Sequence, residues 1–174
     1  MNYFELYDLP VSFNPDQQIV KQKFYELSKK YHPDFYINQS QEKQDEVLEL
    51  STLNNKAFQV LKDPQRRLHY ILELKGELVE GENYTLPQSF LVEMMEVNEA
   101  LMELEFDSNA VKLAELKGQT EQIENELAAE LQALTLAYDA DTENQESKLK
   151  AIKDIYYRNK YLHRIKESLN RMGS

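Results

Sequence analysis

The sequence of 174 residues contains no cysteine, and this absence removes several kinds of site. Without thiolates there is no disulfide framework, zinc ribbon or thiolate-held iron–sulfur cluster. A cysteine nucleophile is excluded for the same reason. A chain without cysteine suits a reducing compartment, and 41% hydrophobic residues are enough to build a core.

Basic residues and long apolar runs are also scarce. The chain has 20 basic against 31 acidic residues, a net charge of −11. Because phosphate contacts need Lys and Arg, this argues against binding to nucleic acid or to an anionic membrane. No apolar run approaches the roughly 20 residues of a membrane-spanning helix. The first twenty residues contain neither Lys nor Arg, which argues against a signal peptide or transit helix. We therefore expect a cytoplasmic protein with no nucleic-acid and no membrane partner.

Glycine and proline are few, with four and five residues, whereas Glu, Leu, Lys and Gln are abundant, which favours helices. The segment between Lys75 and Pro87 has no helical periodicity, and all prolines lie at or before its end. Residues 1–75 carry a net charge of −1, and residues 76–174 carry −10. We therefore predict an all-α protein with domains at 1–75 and 88–174, joined by a linker at 76–87.

Four helices fit the first domain. The second of them is predicted to begin at Asn14-Pro15-x-Gln17, with an N-cap, a proline at the first helical position and a capping-box partner. It ends at His32-Pro33, because proline disfavours helical backbone in the residue before it. The other predicted boundaries are a first helix from Tyr3, a third helix after Ser40 and a fourth helix from Asp63-Pro64.

Three longer helices fit the second domain, at about residues 88–105, 109–138 and 145–172. Short connections make consecutive helices antiparallel, so we expect an up-down-up bundle. No base occurs between Gly76 and Val111, whereas eight bases lie between Lys148 and Arg171. We expect the acidic first helix and the basic third helix to pair and to set the register of the bundle.

The tripeptide His32-Pro33-Asp34 is the sharpest feature of the first domain. Taken alone, it would be an ordinary signal for the end of a helix. Here it lies in a loop between two antiparallel helices, and Asp34 can accept a bidentate arginine. Pro33 fixes the backbone, which lowers the entropy lost on docking. The preceding helix adds lysines that attract an acidic partner, namely Lys21, Lys23, Lys29 and Lys30.

No group of catalytic residues accompanies the tripeptide His32-Pro33-Asp34, which we call the tip. Hydrolysis would need a nucleophile, a second carboxylate or metal ligands at suitable spacing, and none is present. His69 and His163 lie in predicted helices and are interpreted as ordinary helix residues. We expect a binding protein with no catalytic residue, no metal site and no cofactor, so an enzyme is the weakest interpretation.

The predicted helix at 88–105 has two apolar stripes. At about 100° per residue, one stripe forms a core face that consists of Phe90, Met94, Val97, Leu101 and Leu104. A second stripe mixes apolar residues with glutamates and consists of Leu91, Val92, Met95, Glu96, Glu99 and Glu103. It is either a wide core stripe beside solvated glutamates or a partner site. An apolar patch with an acidic rim suits a basic, partly apolar partner.

Beyond the tripeptide, the first domain carries a wider pattern of residues: Tyr3-Phe4-x-Leu6-x-x-Leu9-Pro10, Phe13, Asp16, Phe24-x-x-Leu27, Tyr31-His32-Pro33-Asp34, Asn54-x-x-Ala57, Leu61, Pro64, Arg67 and Tyr70. With these residues the first domain resembles the J-domain, with which co-chaperones stimulate the ATPase of the seventy-kilodalton heat-shock chaperones. The chain is similar in particular to the HscB branch, the J-type co-chaperones of iron–sulfur cluster assembly. No Gly/Phe-rich linker or cysteine zinc domain follows, so the general DnaJ architecture is excluded.

This resemblance implies a four-helix J-domain with an antiparallel helical hairpin, followed by a three-helix bundle. It implies a heat-shock-seventy-class ATPase of the HscA or DnaK type as one partner. That partner would bind at His32, Pro33, Asp34, Lys21, Lys23, Lys29 and Lys30. It also implies an iron–sulfur scaffold protein of the IscU type as the other partner. The scaffold would bind at Leu91, Val92, Met95, Glu96, Glu99, Glu103 and Tyr157.

The chain departs from the family pattern at two positions. Phe35 follows the tripeptide where many relatives carry a basic residue, and Asn98 replaces a basic residue on the acidic helix. Tyr156 lies beside Tyr157 and is the alternative aromatic for the scaffold surface. Two other functions stay open: a J-domain adaptor for a different client, and a structural helical protein that self-associates along residues 109–170 and has an accidental tripeptide.

Overall fold

The computed structural model describes residues 1–173, and these residues form helices and loops with no strand. Two compact units emerge, Met1–Gly76 and Glu77–Ser174, here called the N-unit and the C-unit. The predicted all-α class is confirmed. No helix within residues 1–173 has the length and apolarity needed to cross a membrane.

The N-unit contains four α-helices and one short 3₁₀ helix. They are α1 (Tyr3–Leu6), α2 (Gln17–Lys30), the 3₁₀ helix (Pro33–Tyr36), α3 (Gln41–Lys62) and α4 (Pro64–Leu74). Helices α2 and α3 pack against each other, and α3 also contacts α1 and α4. The predicted start of the fourth helix is confirmed, because Asp63 caps it and Pro64 is its first residue.

The predicted start of α2 is wrong by two residues. Asp16, not Asn14, is the N-cap, and its carboxylate accepts the backbone N–H groups of Gln18 and Ile19. A carboxylate suits the positive end of the helix dipole better than a neutral amide. Pro15 therefore precedes the cap instead of opening the helix.

A buried asparagine links three helices of the N-unit. The hydroxyl of Tyr7, the C-cap residue of α1, donates to Oδ1 of Asn54 at 2.8 Å, and Nδ2 of Asn54 donates to the Phe24 carbonyl of α2 at 3.1 Å. Burial raises the pKa of Tyr7, which keeps its hydroxyl protonated as a donor. The side chain of Asn54 thereby fixes α1 and α2 against α3.

A buried arginine joins α4 to the rest of the N-unit. Arg67 donates from Nε to the Phe13 carbonyl at 2.9 Å and from Nη1 to the Leu61 carbonyl at 2.6 Å. These two carbonyls lie before α2 and at the end of α3. The guanidinium therefore ties the segment before α2 to the end of α3.

The C-unit contains three long helices, and each pair of them is in contact. They are α5 (Gln88–Phe106), α6 (Ala110–Ala140) and α7 (Gln145–Met172). The predicted core face of α5 is confirmed, since all five of its residues are buried. They pack with apolar residues of the other two helices, including Leu116, Ile123, Leu127, Ile155, Leu162, Ile165 and Leu169.

The predicted pairing of acidic α5 with basic α7 is wrong. Lys166 and Arg158 of α7 instead bind Glu124 and Glu130 of α6. Within the part of the chain that the structure describes, no ion pair joins α5 to α7. The reason is geometric, because α5 places its apolar face and Asn98 toward α7. The glutamates of α5 lie elsewhere on the helix and stay free.

Candidate functional site

The tripeptide lies between α2 and α3, and its side chains are exposed. His32 is the N-cap of the 3₁₀ helix, and its Nδ1 accepts the backbone N–H of Asp34 at 3.3 Å. The same Nδ1 lies 3.7 Å from Oδ2 of Asp34. The two side chains are 53% and 78% exposed, so a partner can reach both. Because Nδ1 already accepts the Asp34 N–H, Nε2 of His32 is the nitrogen that a partner can use.

Hydrogen bonds from both neighbouring helices fix the backbone of this tip. The Tyr36 hydroxyl donates to the Lys30 carbonyl of α2 at 2.7 Å. From α3, Nε2 of Gln44 donates to the carbonyls of Ile37 and Gln39 at 3.2 and 2.9 Å. The turn is therefore organised before any partner arrives, which lowers the entropy cost of docking.

Phe35 gives the tip an apolar side that a basic residue would not. Its ring is 73% exposed and makes an edge contact with the His32 imidazole, with the ring centroids 5.8 Å apart. A partner that approaches His32 therefore also meets an exposed aromatic ring.

The four predicted lysines of α2 lie on two flanks of the helix. At about 100° per residue, Lys21 and Lys29 fall within about 80° of each other, and Lys23 and Lys30 lie together on the opposite flank. Lys23 is near carboxylates, with its Nζ 3.7 Å from Asp8. Among residues 1–173, no ion pair involves Lys21 or Lys29. These two lysines therefore remain free to attract an acidic partner.

The second predicted stripe of α5 is accessible from solvent. Val92 and Met95 are 48% and 61% exposed, and Leu91 is half-buried. The stripe also carries three exposed glutamates, Glu96, Glu99 and Glu103. Helix α5 has five glutamates and no Lys or Arg, and none of these glutamates forms an ion pair within residues 1–173. The helix thus presents an apolar patch with an uncompensated acidic rim.

Two further exposed residues of this stripe were not predicted. Met102 and Phe106 are 60% and 93% exposed. On the helical wheel they fall about 20° and 60° from Leu91, inside the stripe. The wheel alone would have found Met102. Phe106 was missed because the predicted helix ended one residue before it.

Tyr157, predicted on the scaffold surface, packs against residues 77–87, here called the strap. Its ring stacks on Tyr84 with the centroids 4.4 Å apart, and its hydroxyl donates to Oε2 of Glu82 at 3.0 Å. Burial and the neighbouring Glu82 raise the pKa of Tyr157. Tyr156 makes an edge contact with it, and both rings are half-buried. The strap therefore fixes how Tyr157 is presented.

Two ion pairs, Glu77 with Lys150 and Glu82 with Lys153, and the hydrogen bond from Tyr84 to Asp154 hold the strap on α7. Nζ of Lys153 lies 2.6 Å from Oε1 of Glu82, and that ammonium lowers the pKa of the Glu82 carboxyl. The Tyr84 hydroxyl donates to Asp154 at 2.6 Å, and Asp154 also pairs with Arg158 at 2.8 Å. Residues of the predicted linker thus pack closely against the last helix.

The histidines outside the tip pair with glutamates. Nε2 of His69 lies 2.8 Å from Glu73, and Nε2 of His163 lies 3.2 Å from Glu167. Nowhere in the described chain, residues 1–173, do three His, Asp or Glu side chains gather as a group that could hold a metal ion. The arrangement at both sites is suited to binding a partner protein.

Comparisons with known proteins agree for both halves of the chain. The model of the DnaJ domain matches residues 2–70, and the model of the HSCB C-terminal oligomerisation domain matches residues 86–170. The chain is 41% identical over 102 residues to the co-chaperone protein HscB of Buchnera aphidicola. That match spans 58% of this chain and only 59% of the relative. A co-chaperone protein HscB homolog of Shewanella halifaxensis is 31% identical over 172 residues, which cover 97% of this chain and 99% of the relative.

Two solved structures have a similar fold. Chaperone HscB from Vibrio cholerae matches with a TM-score of 0.65 and 27% identity, over 99% of this chain and 98% of that structure. The human co-chaperone protein HscB matches with a TM-score of 0.70 and 27% identity, over 98% of this chain and 81% of that structure.

Proposed function

Because this chain belongs to the HscB family of J-domain co-chaperones, we propose that it brings two partners together. One is a heat-shock-seventy-class ATPase of the HscA or DnaK type, which the N-unit stimulates. The other is an iron–sulfur scaffold protein of the IscU type, which the C-unit holds. The chain itself makes and breaks no covalent bond. The iron–sulfur cluster is cargo of the scaffold, not a cofactor of this protein.

The observation that carries the ATPase half of the proposal is the exposed and preorganised tripeptide. His32 and Asp34 are more than half exposed, and the hydrogen bonds of Tyr36 and Gln44 fix the backbone on both sides of them. A carboxylate in such a turn can accept a bidentate arginine. The free lysines Lys21 and Lys29 favour approach to an acidic surface of the ATPase.

The exposed face of α5 supports the scaffold half of the proposal. Val92 and Met95 offer apolar surface, since about half of each residue or more is exposed. Glu96, Glu99 and Glu103 surround it with negative charge and select a basic partner. Methionine adapts its shape to a partner surface, which suits Met95 to this role.

Two sites on one chain give the proposed mechanism. The C-unit holds the scaffold while the tip of the N-unit engages the ATPase, so the scaffold reaches the ATPase at a high local concentration. Stimulated hydrolysis lets the chaperone clamp the scaffold, and the clamped scaffold releases its cluster to acceptors.

The two halves of this proposal can be separated by mutation. The double variant Leu91→Ala with Met95→Ala should bind the scaffold at least about tenfold more weakly, since apolar anchors carry most of the affinity of an interface. Its stimulation of the ATPase without scaffold should match the wild type. Asp34→Asn should show the reverse pattern. Leu136→Ala, which removes an apolar side chain that is 50% exposed on α6, is the matched control.

Calorimetric titration with the scaffold and a steady-state ATPase assay provide the two readouts. If both variants lose both activities while their circular dichroism is unchanged, the two-site proposal is wrong. If the α5 variant binds the scaffold normally, the chain is better explained as a J-domain adaptor for another client. A pull-down would then identify that client.

A further inference from the structure

The exposed face of α5 does not end with the predicted residues. Met102 and Phe106 continue the same stripe, and Phe106 is 93% exposed at the end of the helix. From Leu91 to Phe106 the stripe is about 22 Å long at about 1.5 Å per residue. Large apolar side chains that stay exposed in one continuous stripe mark an interaction surface.

An open cleft lies beside this end of the stripe. It has a volume of about 680 Å³ and is lined by residues of α5, α6 and the turn between them. Those that bear on binding are Met102, Glu103, Phe106, Asp107, Lys112 and Glu115. The cleft therefore combines two large exposed apolar side chains, Met102 and Phe106, with three carboxylates and one ammonium group.

We infer that the scaffold-binding face extends onto Met102, Phe106 and this cleft, where it takes a basic, partly apolar segment of the same scaffold. This inference rests on the proposed function and enlarges its site. Phe106 and Met102 are the anchors, because interface affinity concentrates in large apolar side chains that become fully desolvated. The carboxylates of Glu103, Asp107 and Glu115 select the positive charge of the segment.

Charge also argues against a second copy of this chain as the occupant. An isologous contact through this stripe would bring Glu96, Glu99 and Glu103 of one α5 against the same three glutamates of the other. Like charges that meet across an interface are unfavourable and act against the wrong partner. A basic segment relieves this repulsion, whereas a second α5 increases it.

The decisive experiment compares double variants by calorimetric titration with the scaffold. Met102→Ala with Phe106→Ala should weaken binding about tenfold, an amount typical of losing apolar anchors. Because both side chains are exposed, the variant should fold normally, which circular dichroism can verify. Leu136→Ala, the exposed apolar control on α6, should stay within about twofold of the wild type.

A second pair of variants tests the charge of the cleft. Glu115→Gln keeps the shape of the cleft and removes one carboxylate, so it should weaken scaffold binding about threefold at low salt and less at high salt. Glu121→Gln is the matched control, since Glu121 is exposed on α6 and does not line the cleft. It should bind as the wild type does at both salt concentrations.

The outcomes separate this inference from the proposed function. Normal binding by the Met102/Phe106 variant with weak binding by the Leu91/Met95 variant would overturn the extension and leave the proposed function standing. No scaffold binding by the wild type would overturn both. Sedimentation velocity provides a further test: a wild-type dimer that Met102→Ala with Phe106→Ala converts to a monomer would make this face a self-interface and overturn the inference.

Discussion

The two units use their buried polar side chains in opposite ways. In the N-unit, Asn54 and Arg67 are 1% and 8% exposed, and both bond to helices or loops far away in sequence. In the C-unit, the buried hydroxyls of Thr120 and Thr135 donate to carbonyls three residues earlier in their own helix. The N-unit therefore adds fully buried polar links between elements to its apolar core. In the C-unit, the polar links between elements are only partly buried and lie around the apolar seam.

The two candidate sites, the tip of the N-unit and the α5 stripe of the C-unit, differ in a related way. The tip is contiguous in sequence and depends on a backbone turn that distant residues must hold in place. The α5 stripe extends from Leu91 to Phe106 and needs only an intact helix with one face left open. A turn that presents three residues requires a rigid frame, and a helix face requires none beyond its own hydrogen bonds. This difference predicts which mutations disturb function at a distance.

Asn54→Ala tests the polar frame and should have the largest effect on stability. It removes the closer acceptor of the buried Tyr7 hydroxyl, which keeps only the Asn54 backbone carbonyl at 3.2 Å, and it removes the Nδ2 donor to the Phe24 carbonyl. Weakened hydrogen bonding of buried polar groups costs about 1–3 kcal/mol. Thr120→Val is the matched change in the C-unit and should cost less than about 1 kcal/mol, because the hydroxyl bonds only within its own helix. Hydrogen exchange measured by mass spectrometry reports the two units separately. Equal losses of protection in the two variants would contradict the proposed difference between the N-unit and the C-unit.

Glu82→Gln tests the ion pairs of the C-unit. The Lys153 ammonium lowers the pKa of Glu82 from its ordinary value of 4.5. Since the folded pKa lies below the unfolded one, the ionised carboxylate adds stability above about pH 4.5, and this stability is lost as the pH falls through the folded value. The Tm of the wild type should therefore exceed that of Glu82→Gln at pH 7, and the gap should narrow below pH 4.5.

Glu121→Gln supplies the control for this pH series. Glu121 is exposed on α6 and has no ion pair within residues 1–173. Its Tm difference from the wild type should stay small at every pH. If the Tm differences of Glu82→Gln and Glu121→Gln from the wild type vary with pH in the same way, the strap adds nothing specific to the stability of the C-unit.

Lys21→Gln with Lys29→Gln should have the smallest effect. These free lysines steer an acidic partner, so the double variant should associate with the ATPase about two- to fivefold more slowly at low salt. Salt near 0.5 M should remove the difference, because it shortens the screening length to roughly 4–5 Å. Lys56→Gln on α3 is the control. Stopped-flow association would contradict this prediction if the slowing persisted at high salt.

Local sequence patterns were sufficient to predict much of the fold. The apolar period of α5 identified Phe90, Met94, Val97, Leu101 and Leu104 as core, because a helix that packs on one side repeats its buried residues every three or four positions. Asp63-Pro64 identified the start of α4 for an equally local reason, since the cap and the proline act within one turn.

Contacts between elements distant in sequence could not be predicted from the sequence. The charge pattern suggested α5 as the partner of α7, but α6 supplied the carboxylates that bind Lys166 and Arg158. Charge counts do not say which face of a helix meets its neighbour. The strap on Tyr157 was missed because residues 77–87 have no periodic pattern to read. The tripeptide was visible in the sequence, but the hydrogen bonds of Tyr36 and Gln44 that fix it needed the fold.

The central claim is that the tip stimulates the ATPase while the α5 face holds the scaffold. The most direct test is the steady-state ATPase rate of the cognate heat-shock chaperone with scaffold present, measured with wild type, His32→Gln and the control His163→Gln. Wild type and His163→Gln should stimulate hydrolysis, whereas His32→Gln should leave the unstimulated rate while still binding the scaffold. Equal stimulation by wild type and His32→Gln, or none by either, would contradict the claim.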